Sequence, residues 1–163
     1  ARRKVDAAVL EVGLGGRLDS TNVCRPCVSV ITSISHDHTR QLGDTLESIA
    51  REKAGIVKPG VPVTSGVDRP GPRDVIRRIC RQRGAPLVER GVDFSFRYEP
   101  PRHLESGPAP GRLDFELQTP GGTRVWRNLA LGLLGSHQAA NAAVALATLE
   151  QLRRDGWRIP EEA

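Results

Sequence analysis

The sequence has no apolar stretch long enough to cross a bilayer, no dense run of basic residues, no internal repeat and no cysteine framework. The first absence argues against a membrane partner, and no charged-then-apolar leader stands at the start, so the expected location is the cytoplasm. The second bears on a net charge of +5: of the 24 basic residues 21 are arginines, scattered along the chain, which favours anionic small ligands and predicts no nucleic-acid partner. The third leaves one core for a chain of 163 residues. The cysteines, Cys24, Cys27 and Cys80, are odd in number and make no disulfide set. Cys24 and Cys27 have the C-x-x-C spacing of a zinc or redox half-site, but no second ligand pair follows, and Pro26 leads into an apolar run where a redox pair would open a helix. They read as small buried thiols in a turn.

What is present alternates. "VDAAVLEV", "VSVITSI", "VPVTSG" and "APLVE" read as short strands apolar on both faces, with "DTLESIAREKAGIV" and "PRDVIRRICRQRG" as helices between them. That order predicts an α/β fold, a mostly parallel sheet flanked by helices. The first strand comes so early that it lacks sequence neighbours, and a segment of a longer domain is expected. From Gly91 the pattern changes to alternation at Val92, Phe94 and Phe96, a proline-rich loop, and a hairpin turning at Pro120 to Thr123, which predicts a small antiparallel β extension. A helix follows from Ser136, a candidate N-cap, to Gly156 just past its end. Residues 1–155 then form one unit and 156–163 the start of a linker.

Ligands of open parallel sheets bind beyond the carboxyl ends of the strands. Glu11 closes the first strand there, before Gly13, Gly15 and Gly16 allow a tight turn and a close backbone approach. The second strand runs into His36, Asp37 and His38. A carboxylate and an imidazole side by side make a metal half-site; the plainer reading is that Glu11 pairs with Arg17. Magnesium prefers oxygen donors, so a histidine leaves room for manganese. In the next helix Asp44 and Glu47 match a capping box, and the apolar stripe Leu46, Ile49, Ala50, Ala54 and Val57 has Lys53 at its middle. Either the lysine stem snorkels past the packing, or the amine is held desolvated and reactive. His137, Gln138 and Asn141 open the last helix, where amides read a base edge or, as the residues alone favour, cap the helix.

The blocks "EVGLGGRLDSTN", "TSISHDHTRQLGDTLESIAREKAGIVKPG" and "GSHQAANAAVALATLE" closely resemble the folylpolyglutamate and dihydrofolate synthases, the folate branch of the Mur-ligase-like ATP-dependent amide ligases. The resemblance implies the later portion of a central, P-loop-like ATP-binding domain, incomplete at its start, acting as a monomer on ATP, L-glutamate and a folate or dihydropteroate. It implies that Glu11 and His38 hold magnesium near the ATP phosphates and that Lys53 is carbamylated to serve a second magnesium. It also implies that Asn141, with His137 and Gln138, contacts adenine, and that Arg17 and Asp19 lie in the loop that receives the folate-type substrate. The reaction implied is an acyl phosphate formed from ATP and displaced by glutamate's amine. No G-x-x-x-x-G-K-[ST] occurs in the chain, so the family's phosphate loop is expected upstream, a closing domain is expected after Ala163, and the isolated segment is expected to be inactive. The competing readings are a Mur-like ligase for another acid and amino acid, disfavoured by "RLDSTN" and "DHT", and a catalytically silent nucleotide-binding module, disfavoured by Glu11, His38 and Lys53 occurring together.

Overall fold

The computed structural model describes residues 5–36, 39–101 and 110–160. Three short strands, β1 (Ser29–Ile31), β2 (Val63–Ser65) and β3 (Leu87–Glu89), form a parallel sheet in that order. Ser29 stands opposite Val63, and Val63 opposite Leu87. Parallel strands need crossovers, which put helices on the faces. Here α1 (Thr39–Leu42) and α2 (Leu46–Lys53) join β1 to β2, and α3 (Pro70–Gln82) joins β2 to β3. Every residue of β2 is buried, as a strand covered on both faces must be. One side packs Ile31 and Val63 against Ile49, Ala50, Val75 and Ile76 of α2 and α3. Cys80 is 1% exposed in the same core, and burial pushes its thiol up to about 11.

The capping of α2 differs from the expected Asp44–Glu47 box by one residue. Thr45 is the N-cap: its hydroxyl accepts from the Ser48 N–H at 3.1 Å, and the Ser48 hydroxyl accepts from the Thr45 N–H. The cap falls where the backbone is extended, at Thr45 with φ −113° and ψ 149°. After Lys53 the helix tightens into a 3₁₀ turn, Ala54–Ile56, so the spacing of 100° per residue stops applying there.

The segment expected as the first strand is not one. Residues 5–12 have no sheet partner among the described residues, and Val5, Val9 and Leu10 are 67%, 99% and 57% exposed. An apolar run forms a strand only against a neighbouring ladder, and the described ladder of β1 goes to β2.

The later half is antiparallel: β4 (Phe94–Glu99), β5 (Gly111–Thr119) and β6 (Gly122–Leu131) pair in order, with the hairpin turning at Pro120 and Gly121. Val92 lies outside the strand and is exposed. The last helix, α4 (Ser136–Arg154), buries Ala139, Ala143, Val144 and Ala147. Phe94, Phe115 and Leu117 pack with Ala143, Val144 and Ala147, and Val30 and Val88 of the parallel sheet lean on the same cluster. Thus α4 is the shared wall of the two sheets. Its N-cap is Gly135, at φ 108°, and not Ser136; Gly156, at φ 91°, follows its end as expected. No helix among the described residues is long and apolar enough to cross a membrane.

Candidate active site

The glycine-rich loop is folded around Asp19. One carboxylate oxygen accepts from the backbone N–H of Gly13 at 3.0 Å and of Leu14 at 3.3 Å. The other accepts from the Thr21 N–H at 2.9 Å and the Thr21 hydroxyl at 2.6 Å, capping a 3₁₀ turn at Ser20–Val23. These bonds, the Thr21 hydroxyl foremost, hold the Asp19 carboxyl down at about 2. Both oxygens are therefore committed to the shape of the loop.

That loop lies on the carboxyl end of α2. The Arg17 N–H donates to the Glu52 carbonyl at 2.9 Å, and its Nε donates to the Glu52 side-chain oxygens at 3.0 and 3.1 Å. A Cβ on Gly16, at φ 157°, would meet the Lys53 carbonyl at 2.9 Å, and a Cβ on Gly55 would meet the Cα of Arg17 at 2.5 Å. Glycine is required at 55 by contact, not by dihedral. The two chain segments touch backbone to backbone only because neither carries a side chain there.

Among the residues singled out from the sequence, Arg17 is thus brought to the helix end that carries Lys53, with Asp19 shaping the same loop from within. Lys53 is half-buried at the last position of α2, while Ile49, Ala50, Ala54 and Val57 take the fully buried places. Glu11 is exposed at the entrance of the loop, and the plain reading that it pairs with Arg17 is corrected, because Arg17 pairs with Glu52. His36 is exposed; Asp37 and His38 lie outside the described residues. Among the described residues no three His, Cys, Asp or Glu side chains converge as a metal donor set. Cys24 is half-buried and Cys27 exposed, which corrects the expectation of two buried thiols: the turn that follows the 3₁₀ segment presents Cys27 outward.

The start of α4 stands apart. Gly135 donates its N–H to the Tyr98 hydroxyl at 3.3 Å, and His137 and Asn141 are exposed with Gln138 half-buried. Gln138 and Ala139 both direct their N–H groups to the Gly135 carbonyl. Among the described residues no hydrogen bond joins this helix start to the glycine loop or to Lys53. Farther along α4, the missing Cβ of Gly66, just past β2, leaves room for Val144, which it would otherwise meet at 2.6 Å.

Residues that sequence reasoning missed are Glu52, Asn22, Gly55 and Lys58. The Asn22 amide donates to the carbonyls of Arg17 at 3.0 Å and Gly55 at 3.4 Å, and Lys58 Nζ donates to the Asn22 carbonyl at 2.6 Å. All four sit inside the quoted motif blocks, yet no local spacing signals a contact between residues 35 positions apart.

Residues 1–67 match the Mur ligase middle domain. The dihydrofolate synthase/folylpolyglutamate synthase of Bacillus subtilis is 39% identical over 155 residues, which is 93% of this chain and 33% of that protein. The folylpolyglutamate synthase structure from Thermotoga maritima superposes with a TM-score of 0.79 at 35% identity, covering 97% of this chain and 33% of that one. A folylpolyglutamate synthase complex with AMPPCP and folate superposes with a TM-score of 0.80 at 33% identity, covering 95% and 36%. The fold is that of these synthase structures, and residues 1–67 carry the likeness to the Mur ligase middle domain. Over that fold the chain is similar to folylpolyglutamate and dihydrofolate synthases, and it spans about a third of their length.

Proposed function

We propose that this segment is the later portion, residues 1–155, of the central ATP-binding domain of a cytoplasmic, monomeric ligase, with residues 156–163 leading into a linker. The ligase joins L-glutamate to the carboxylate of a folate or dihydropteroate at the expense of ATP. The observation that carries the reading is the docking of the Arg17–Asp19 loop on the backbone of Lys53, in a chain whose relatives bear these names.

The chemistry follows from what must be joined. The terminal carboxylate of the acid attacks the γ-phosphorus of ATP, forming an acyl phosphate and releasing ADP. The amine of glutamate then attacks the acyl carbon, loses a proton, and expels phosphate as the amide forms. Phosphoryl transfer needs little covalent help from protein; it needs position and charge. The glycine loop, rigid around Asp19, receives the acid. His137, Gln138 and Asn141, at the opening of α4, hold the adenine of ATP. Magnesium, or manganese, when bound supplies charge neutralisation for the transferring group, with Glu11 and His38 as ligands. Lys53, as a neutral amine, adds carbon dioxide and releases a proton, which turns a would-be cation into an anionic oxygen donor.

The test is glutamate-dependent phosphate release by the whole protein, with dihydropteroate and with tetrahydrofolate in turn. Release with at least one is expected; release with neither overturns the reading. In the same assay Lys53→Ala should lose at least about a hundredfold in turnover and recover part of it with small carboxylates. Lys53→Arg should recover none, because arginine keeps its positive charge. Near-normal turnover in Lys53→Arg overturns the carbamate.

A further inference from the structure

The glycine loop is tied to one short stretch of chain, residues 52–58, by contacts of three kinds. Arg17 and Glu52 share a backbone hydrogen bond and an ion pair in which a single Nε–H faces both carboxylate oxygens. Asn22 donates to Gly55 and accepts from Lys58. Gly55 lies against the Arg17 backbone with no space between them. The Arg17 and Glu52 side chains are 56% and 25% exposed, and an ion pair that open to water adds little to stability. Its effect is geometric. Glu52 precedes Lys53 by one residue, so the carboxylate that holds Arg17 belongs to the same helical turn as the lysine.

We propose that Glu52 is a positioning residue: by holding Arg17 it sets the register of the glycine loop against the turn that ends in Lys53, and Arg17 serves as a strut in that clamp. The assignment rests on the function proposed above for its kinetic part only. If the loop receives the acid substrate, loosening the clamp weakens binding of that substrate while leaving the nucleotide side untouched.

The experiment compares Glu52→Ala, Glu52→Gln and Arg17→Ala in the whole protein. Glu52→Ala should raise KM for the acid substrate by about tenfold or more, with kcat and KM for ATP within about threefold. Glu52→Gln keeps an oxygen facing the Arg17 Nε–H and should bring KM back to within about threefold of the starting protein. Arg17→Ala, at the more exposed partner, should reproduce the Glu52→Ala pattern and serves if Glu52→Ala does not fold. If Arg17→Ala raises KM while Glu52→Ala does not, Arg17 is a direct ligand and the clamp is wrong. Equal rises in KM for ATP and for the acid also overturn it, since they mark general loosening. Hydrogen–deuterium exchange separates the clamp from the functional reading: without any substrate, the Leu14, Arg17 and Thr21 amides should exchange faster in Glu52→Ala and not in Glu52→Gln. Should the whole protein prove inactive with both acids, the functional reading fails and the exchange result alone decides the clamp; unchanged exchange in Glu52→Ala sinks it.

Discussion

Two glycine-bearing connections lead into the candidate site, and they are built differently. The first, around Gly13, Gly15 and Gly16, is held from inside by four hydrogen bonds to Asp19 and from outside by Glu52, Asn22 and Lys58. The second, Gly132 to Gly135, has among the described residues one side-chain hydrogen bond, from the Gly135 N–H to the Tyr98 hydroxyl, and its Leu133 and Leu134 are 60% and 51% exposed. The first has its shape before any ligand arrives; the second is tied by fewer side-chain contacts between the end of β6 and the start of α4. A loop fixed in advance binds without paying for its own ordering, whereas a loosely held one can adjust to what it meets.

Substitutions that remove the distinction should have graded effects. The largest is expected at Gly55, where a Cβ would meet the backbone of Arg17 at 2.5 Å. Gly55→Ala should destabilise by about 1–3 kcal/mol and shift the loop, whereas Gly132→Ala, with nothing within 4 Å of its Cβ, should be near neutral. Urea denaturation of the two variants side by side checks this, and equal effects would erase the contrast.

A second, smaller effect lies in acid. The Asp19 carboxyl is held at about 2, below its ordinary value of 3.8, so its stabilisation is fully present above that ordinary value and is lost as the pH falls towards 2. Asp19→Asn should flatten this part of the stability-against-pH curve while leaving the slope at neutral pH unchanged. An unaltered acid limb would mean that the loop's bonds do not tighten on folding.

The smallest effect of this set is expected at the second connection. Tyr98→Phe removes the hydroxyl that accepts from the Gly135 N–H, a bond worth about 0.5–1.5 kcal/mol. KM for ATP should rise a few-fold, with KM for the acid substrate unchanged. A rise in both would show that the two connections are coupled through the sheets.

Much of this was legible in the residues. The strands at Ser29–Ile31, Val63–Ser65 and Leu87–Glu89 read correctly because each lies in a short apolar run, and Val63–Ser65 is buried throughout. The hairpin at Pro120 and Gly121 read correctly because turn chemistry is local. Residues 5–12 carry the same apolar signal and are exposed, since a strand is a property of its neighbours as much as of its own side chains. Of the candidate site, Arg17, Asp19 and Lys53 were readable as residues, but their juxtaposition was not. The joint between Arg17 and Glu52 bridges 35 positions, and the reason Gly55 must be glycine is a contact with a distant loop. Neither leaves a trace in any short window.

The three thiols give the molecule a chemical clock. Cys27 is exposed and Cys24 half-exposed, while Cys80 lies at 1% exposure on the buried face of α3 with its thiol raised to about 11. Attack on a maleimide or disulfide reagent requires thiolate and access, and Cys80 has neither at neutral pH while its core is closed. Labelling should therefore proceed in two stages: a fast one at Cys27 and then Cys24, and a slow one at Cys80 whose rate counts openings of the α2–α3 core. With Cys24 and Cys27 replaced by serine, mass spectrometry of the remaining single adduct becomes a direct measure of how often that core opens. Any ligand that braces the Lys53 turn should slow it.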